Sequence, residues 1–188
     1  QAAQLMDRLG VVDIMSGQLE SARENFTRAL TILEANLGSD DDRIWAAKSN
    51  LAQVLLEMGQ NDEGFAFIEA GYQRIRDTMG TSSRAFADAS LDMMQYFIRV
   101  NDLPQAITMA TDAVSAYTRA LGRGDSATAN ALYWRGILLN QSGSFAEAEK
   151  DLRGAWLILG NRQANPDDMV LDVLNNLWRA VYSQQRKA

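Results

Sequence analysis

The stretch that decides the fold is Asn50-Leu51-Ala52-Gln53-Val54-Leu55-Leu56-Glu57-Met58-Gly59-Gln60-Asn61-Asp62-Glu63-Gly64. It reads as the end of one amphipathic helix, a glycine turn, and the start of a second helix. The same grammar returns 42 residues before and after it. The turn position holds Gly17, Gly59, Asn101 and Gly143, residue types that tolerate the positive φ a helix-ending residue needs. Five residues on stand Ala22, Gly64, Ala106 and Ala148, and seven beyond those stand Ala29, Gly71, Ala113 and Ala155. Gly38, Gly80 and Gly122 mark the next break, each preceded by Leu37, Met79 or Leu121. Small residues recurring at a fixed period predict an array of helical repeats, each packing mainly on its neighbours.

Composition agrees. Of 188 residues, 47% are apolar, enough for a continuous core, and only 2 are proline. No apolar run approaches the roughly 18 residues of a membrane-spanning helix. Gln1-Ala2-Ala3-Gln4 shows neither the basic region nor the apolar core of a signal peptide. The missing initiator Met points to a fragment of a longer protein or a processed form. Without cysteine there is no disulfide framework or thiol chemistry, and the compartment stays open. Without histidine the chain lacks the usual general base and the commonest transition-metal ligand. A net charge of −6 argues against a nucleic-acid binder and modestly favours a basic partner.

Apolar spacing predicts about nine helices. The first, about Gln4 to Ser16, has Leu5, Leu9, Val12 and Met15 as its apolar line. The second, about Leu19 to Leu37, buries Phe26, Leu30, Leu33 and Leu37. Later helices follow at about 42–58, 62–79, 84–100, 103–121, 126–141 and 145–159. The last, about Asp167 to Gln185, carries Leu171, Leu174, Leu177, Trp178 and Val181 and begins a fifth unit that could cap the array. Asp41, Ser83, Asp125 and Asp167 keep the 42-residue spacing as helix caps. Pro104 falls in a first turn, where its missing N–H does no harm. The fourth junction departs from the pattern, with Ala164 where a glycine is due and Pro166 before Asp167.

These residues resemble the tetratricopeptide-repeat (TPR) family. Its first-helix signature, a Leu-Gly or Leu-Ala pair ahead of a large apolar residue, is matched by Leu51-Ala52 with Leu55 and by Met93-Met94 with Phe97. Leu9-Gly10 is followed by a departing Asp13, and in Arg135-Gly136 only the small residue survives. The 42-residue period looks most like the kinesin-light-chain-type variant, although its His-Pro-Asp segment is lacking and only Asn165-Pro166-Asp167 comes close. The resemblance covers about Leu5 to Val181. It implies an all-α fold, a right-handed α-solenoid of antiparallel helix pairs. The units are about 3–38, 42–80, 84–122 and 126–160, with a C-terminal helix 167–185, in a single repeat domain over 1–188. It also implies a non-catalytic module that binds a peptide segment or partner protein along the concave groove lined by the first helix of each pair.

Carrying the family's groove positions over gives Asn50 and Gln53 in unit two, with Ser49 and Glu57, and Asp88, Asp92, Gln95 and Arg99 in unit three. Unit four gives Asn130, Tyr133, Trp134 and Gln141. The last helix gives Asn175, Asn176 and Arg179 with Asp172, and unit one gives Gln4, Asp7 and Arg8. Amides here can both donate to and accept from a peptide backbone. Trp134 or Tyr133 could anchor an apolar side chain, and Asp88 with Asp92 could pair with a ligand Lys or Arg. The same residues have plainer readings: Trp134 as core, the two aspartates as a solvated face, Asn50, Asn175 and Asn176 as ties between helices. A carboxylate clamp for chaperone tails is disfavoured, since only Arg8, Arg99 and Arg179 supply cations.

Other motifs are weak. Asp40-Asp41-Asp42 offers too few oxygens for calcium and suits helix capping better. Arg123-Gly124-Asp125 matches an integrin-type tripeptide, but its loop needs the glycine and its Asp caps a helix. No phosphate-binding glycine loop occurs, and no cofactor or metal is expected. The scattered methionines sit at packing positions. The expectation is an interaction module with a protein or peptide partner, no nucleic acid and no membrane insertion. The alternative is homo-oligomerisation through the terminal helices.

Overall fold

The computed structural model describes residues 1–38, 41–160 and 168–185. Among them are nine helices and no strand: α1 (Ala2–Met15), α2 (Leu19–Asn36), α3 (Asp42–Glu57), α4 (Asn61–Met79), α5 (Arg84–Arg99), α6 (Leu103–Leu121), α7 (Ser126–Ser142), α8 (Phe145–Leu159) and α9 (Asp168–Gln185). The architecture is an all-α solenoid of helix pairs. In each pair the odd-numbered helix, called A below, is followed by an even-numbered helix B. The chain divides into two compact units, Gln1–Arg74 and Ile75–Ala188.

The turns obey one rule four times. Gly17, Gly59 and Gly143 take φ of 73°, 78° and 81°, and Asn101, the single described non-glycine residue in that region, takes 59°. At each, the next residue's N–H reaches back to a carbonyl five residues earlier: Gln18 to Asp13, Gln60 to Leu55, Asp102 to Phe97 and Ser144 to Leu139, at 2.8–2.9 Å. This closure satisfies a helix-end carbonyl and fixes where helix B starts. Gly38 is not among the positive-φ glycines, so its break works differently: Leu37 before it is already extended. Asp41, Ser83 and Asp125 cap α3, α5 and α7 by accepting from the backbone N–H of Arg43, Phe86 and Ala127. Asp167, Ala164 and the Asn165-Pro166-Asp167 segment, like Asp40, lie outside the described residues.

In the first unit Phe26 and Leu30 of α2 pack with Ile44, Ala47, Leu51, Val54 and Leu55 of α3. Burying a side chain such as Phe26 contributes about 1.5–3 kcal/mol. Gly10 of α1 is required by that ring, since a Cβ there would stand 2.7 Å from Phe26 Cζ. In the second unit Tyr133 of α7, Leu152 and Ala155 of α8, and Val173 and Ala180 of α9 form a core.

Two expectations are corrected. Leu5, Leu9, Val12 and Met15 do not face the core: Leu5 is 56% exposed and Met15 83%, whereas Ala3 and Gly10 are the buried residues of α1. The close approach at Gly10 turns the large apolar row the other way. In α9, Leu171, Leu174 and Trp178 are exposed, and it is Val173 and Ala180 that are fully buried against α8. The reason is the same: a helix has one face per neighbour, and among the described residues each end helix has a face with none.

Candidate functional site

The candidate surface is built from the exposed lines of the A helices. α5 shows the pattern most clearly. Phe86, Ala87, Ala89, Ser90, Met93, Met94 and Tyr96 are buried, while Arg84, Asp88, Asp92, Gln95 and Arg99 share the opposite, solvent side. The three- and four-residue steps between them keep them on one face. Asp88 is not a free carboxylate. The Tyr117 hydroxyl of α6 donates to it, and Arg84 lies 3.7 Å away. Burial, together with the hydrogen bond and charge of Asp88, pushes the Tyr117 phenol well above its usual range. Asp92 has no such support. Crowding of its carboxyl by the protein, then the charge of Asp88, push it up to about 6, although the residue as a whole remains exposed. A raised carboxyl pKa marks a charge the protein leaves uncompensated.

α7 and α9 continue this surface in the second unit. Trp134 is half-buried against the core, with its ring 5.6 Å from that of Tyr133. Tyr133, expected to point outward, is only 9% exposed, and its hydroxyl donates to Asp172 of α9. Burial first, then the Asp172 charge, raise its pKa. Asn130 is half-buried, and its Oδ1 lacks a hydrogen-bond partner. Asn140 Nδ2 donates to the Asn176 backbone carbonyl at 2.9 Å, tying α7 to α9. The Asn176 side chain folds back onto the Asp172 carbonyl of its own helix. Asn175 and Arg179 are exposed.

In the first unit Asn50 Nδ2 donates to Asp7 of α1 at 2.7 Å, so Asn50 links two neighbouring A helices. Gln53 is exposed and reaches Glu57 of the next turn only at 3.5 Å. The amides therefore split. Asn50 and Asn176 are used internally, and Gln53, Gln95 and Asn175 stay open.

Sequence reasoning missed three polar pairings. Arg135 and Asp151 form a two-pronged pair at 2.6 and 2.8 Å between α7 and α8, with Asp151 buried. Arg135 occupies the slot of Leu9, Leu51 and Met93, and the residue sixteen further on is its partner. That spacing was the available signal. Asp13, the other departure from the helix-A pattern, accepts from Ser21 and Asn25 of α2, each at 2.8 Å. Gln184 of α9 donates to Glu149 of α8 at 2.8 Å. Among the described residues no group of His, Cys, Asp or Glu could hold a metal ion, and no helix is long and apolar enough to cross a membrane.

Comparison with known proteins gives a consistent class. Residues 91–156 match the tetratricopeptide-repeat family. No curated protein matches the chain. Among solved structures, the nearly identical TPR-like repeats of a putative kinesin light chain from Podosopora anserina superpose with a TM-score of 0.82 at 15% identity, over 99% of this chain and 89% of that one. BtubC (BKLC) from P. vanneervenii gives 0.76 at 16% identity, over 97% and 77%. A tetratricopeptide repeat protein from Parabacteroides merdae gives 0.69 at 16% identity, over 99% and 61%. At these identities the likeness is one of fold.

Proposed function

Taking the chain as the tetratricopeptide-repeat protein that its fold and its matched segment make it, we propose that it is a non-catalytic module that binds an extended or helical segment of a partner protein along its A-helix surfaces. In the second unit that surface is Asp88, Asp92, Gln95 and Arg99 of α5 with Asn130, Trp134, Asn175 and Arg179. In the first it is Gln53 with Ser49 and Glu57. The observation that carries the reading is the one-sided partition of α5: the side opposite its buried row exposes Asp92 and Gln95 to solvent, in line with Asp88 and Arg99. A ligand Lys or Arg placed at Asp92 would supply the missing counter-charge, and Gln95 and Asn175 would take up backbone groups.

Selection of random peptides on the full chain tests this. Peptides with a basic residue should be enriched, and Asp92→Asn should weaken them without lowering the melting temperature. Peptides indifferent to Asp92, Gln95 and Arg179 would overturn the groove. The alternative, self-association through the ends, is favoured by the open rows on α1 and α9. Light scattering across a concentration series checks it, and a constant monomer mass rejects it.

A further inference from the structure

A crevice separate from the A-helix surface opens between α2 and α4 of the first unit. Its cavity of about 460 Å³ is floored by Leu51 and Leu55 of α3. Glu20 and Glu24 of α2 stand on one wall and Glu63 of α4 on the other, all three exposed. The two leucines are only 5% and 1% exposed, so the way down to them is narrow. It admits an unbranched side chain and excludes a helix or an aromatic ring.

The same crevice recurs in the second unit, and there it is occupied from within. A cavity of about 280 Å³ lies among α6, α7 and α8. Thr111, Arg135, Leu139 and Glu147 line it, two periods after Thr27, Leu51, Leu55 and Glu63, which line the first. One floor residue has changed from leucine to arginine, and the space left is smaller. The Arg135 guanidinium donates to Asp151 at 2.6 and 2.8 Å and, beside Glu147 and Lys150, brings that crevice to neutrality. The first-unit crevice sets Glu20, Glu24 and Glu63 against Arg23 and Arg28, and so keeps one negative charge over. Arg28 is committed to Glu24 at 2.6 Å, whereas among the described residues Glu20 and Glu63 form no ion pair. The slot of Asp151 is held there by Phe67, which packs on the core, so the carboxylates of this crevice lie at its rim.

We propose that the first-unit crevice is a second binding site, which takes one arginine side chain from a partner protein in the place that Arg135 fills in the second unit. Its methylenes lie along Leu51 and Leu55, and its planar fork of donors reaches Glu20 on one wall and Glu63 on the other. Arg23 and Arg28 repel a second cation, so a single arginine fits and a polybasic run does not.

The test follows the Leu51 and Leu55 methyl resonances of the full chain as a blocked pentapeptide, Ala-Ala-Arg-Ala-Ala, is added. Control peptides carry citrulline, which keeps the shape and loses the charge, or norleucine. The arginine peptide should move both methyls saturably, and the citrulline peptide should bind about tenfold more weakly. Glu20→Gln together with Glu63→Gln, both at exposed positions, should bring the arginine peptide down to the citrulline level. Thr27→Arg, also exposed, should fill the crevice from its own wall and abolish binding with the melting temperature little changed. Asp92→Asn should leave these shifts as they are, so this site and the A-helix surface fail separately. No saturable shift, equal binding of the norleucine peptide, or an arginine preference that survives the double glutamate variant overturns the proposal. So do the same shifts on concentrating the chain alone, which would give the crevice to a second copy.

Discussion

The α5–α6 and α7–α8 pairs share one register and one turn geometry, yet they distribute bulk and charge in opposite ways. In α5–α6 the two matched positions are apolar, Met93 with Met109 and Met94 with Ala110, all at most 9% exposed. In α7–α8 the same positions hold Arg135 with Asp151 and Gly136 with Leu152. The backbone period therefore fixes which residues meet, and the side chains only have to be complementary in volume and charge. Either helix can supply the bulk. A charge is tolerated inside the pair if its opposite stands sixteen residues away.

The largest effect is expected from Asp151→Ala, which leaves the Arg135 guanidinium half-buried and unpaired. It should cost about 3–5 kcal/mol in urea unfolding. Arg135→Met together with Asp151→Met would turn α7–α8 into a copy of α5–α6 at that level, and should be neutral or stabilising. A double variant as unstable as the single would show that the two pairs are not interchangeable. Met94→Ala comes next, at about 2–4 kcal/mol, because nothing on Ala-rich α6 can fill the space. Gly136→Met follows: it should lose about 1–3 kcal/mol against Leu152, and recover part of that in combination with Leu152→Ala, which reproduces the Met94 and Ala110 arrangement. Thermal melts of the single and double variants measure the coupling.

The smallest effect concerns the outward faces, where α5 presents carboxylates and α7 an amide and a half-buried indole. Burial and Asp88 hold the Asp92 carboxyl up at about 6, against an ordinary 3.8. The folded chain thus binds a proton that the unfolded chain has already released. The unfavourable contribution of Asp92 is present above about 6 and fades as pH falls toward 4, so this group makes the fold more stable on acidification. Asp92→Asn should remove that slope and slightly raise the melting temperature at pH 7. A slope that persists in the variant would assign it to other groups. A basic ligand seated at Asp92 should weaken below about pH 6.

Part of this was legible from the chain. The turn residues Gly17, Gly59, Asn101 and Gly143 and the caps Asp41, Ser83 and Asp125 were readable because each follows from a local backbone requirement, and the small positions of the B helices because they recur at a fixed period. Asp88, Asp92, Gln95 and Arg99 of α5 were reached only by carrying the groove positions of the resembling family over, and all four lie on the solvent side of the helix. The polar pairings were not: Asp13 and Arg135 looked like departures from a pattern until Asn25 and Asp151 were seen beside them. Tyr133 looked like an anchor for a ligand until Asp172 and the α8–α9 core closed over it.

The sequence by itself determined the period, the helix ends and the repeat class, because φ preference, capping and apolar spacing act over a few residues of one helix. Only the tertiary structure decided which apolar rows are core and which are open. Leu51 and Leu9 occupy the same slot and have the same side chain, but one is buried against Phe26 and the other faces solvent. The burial of a residue is a property of its neighbour, and a helix cannot encode whether that neighbour is there.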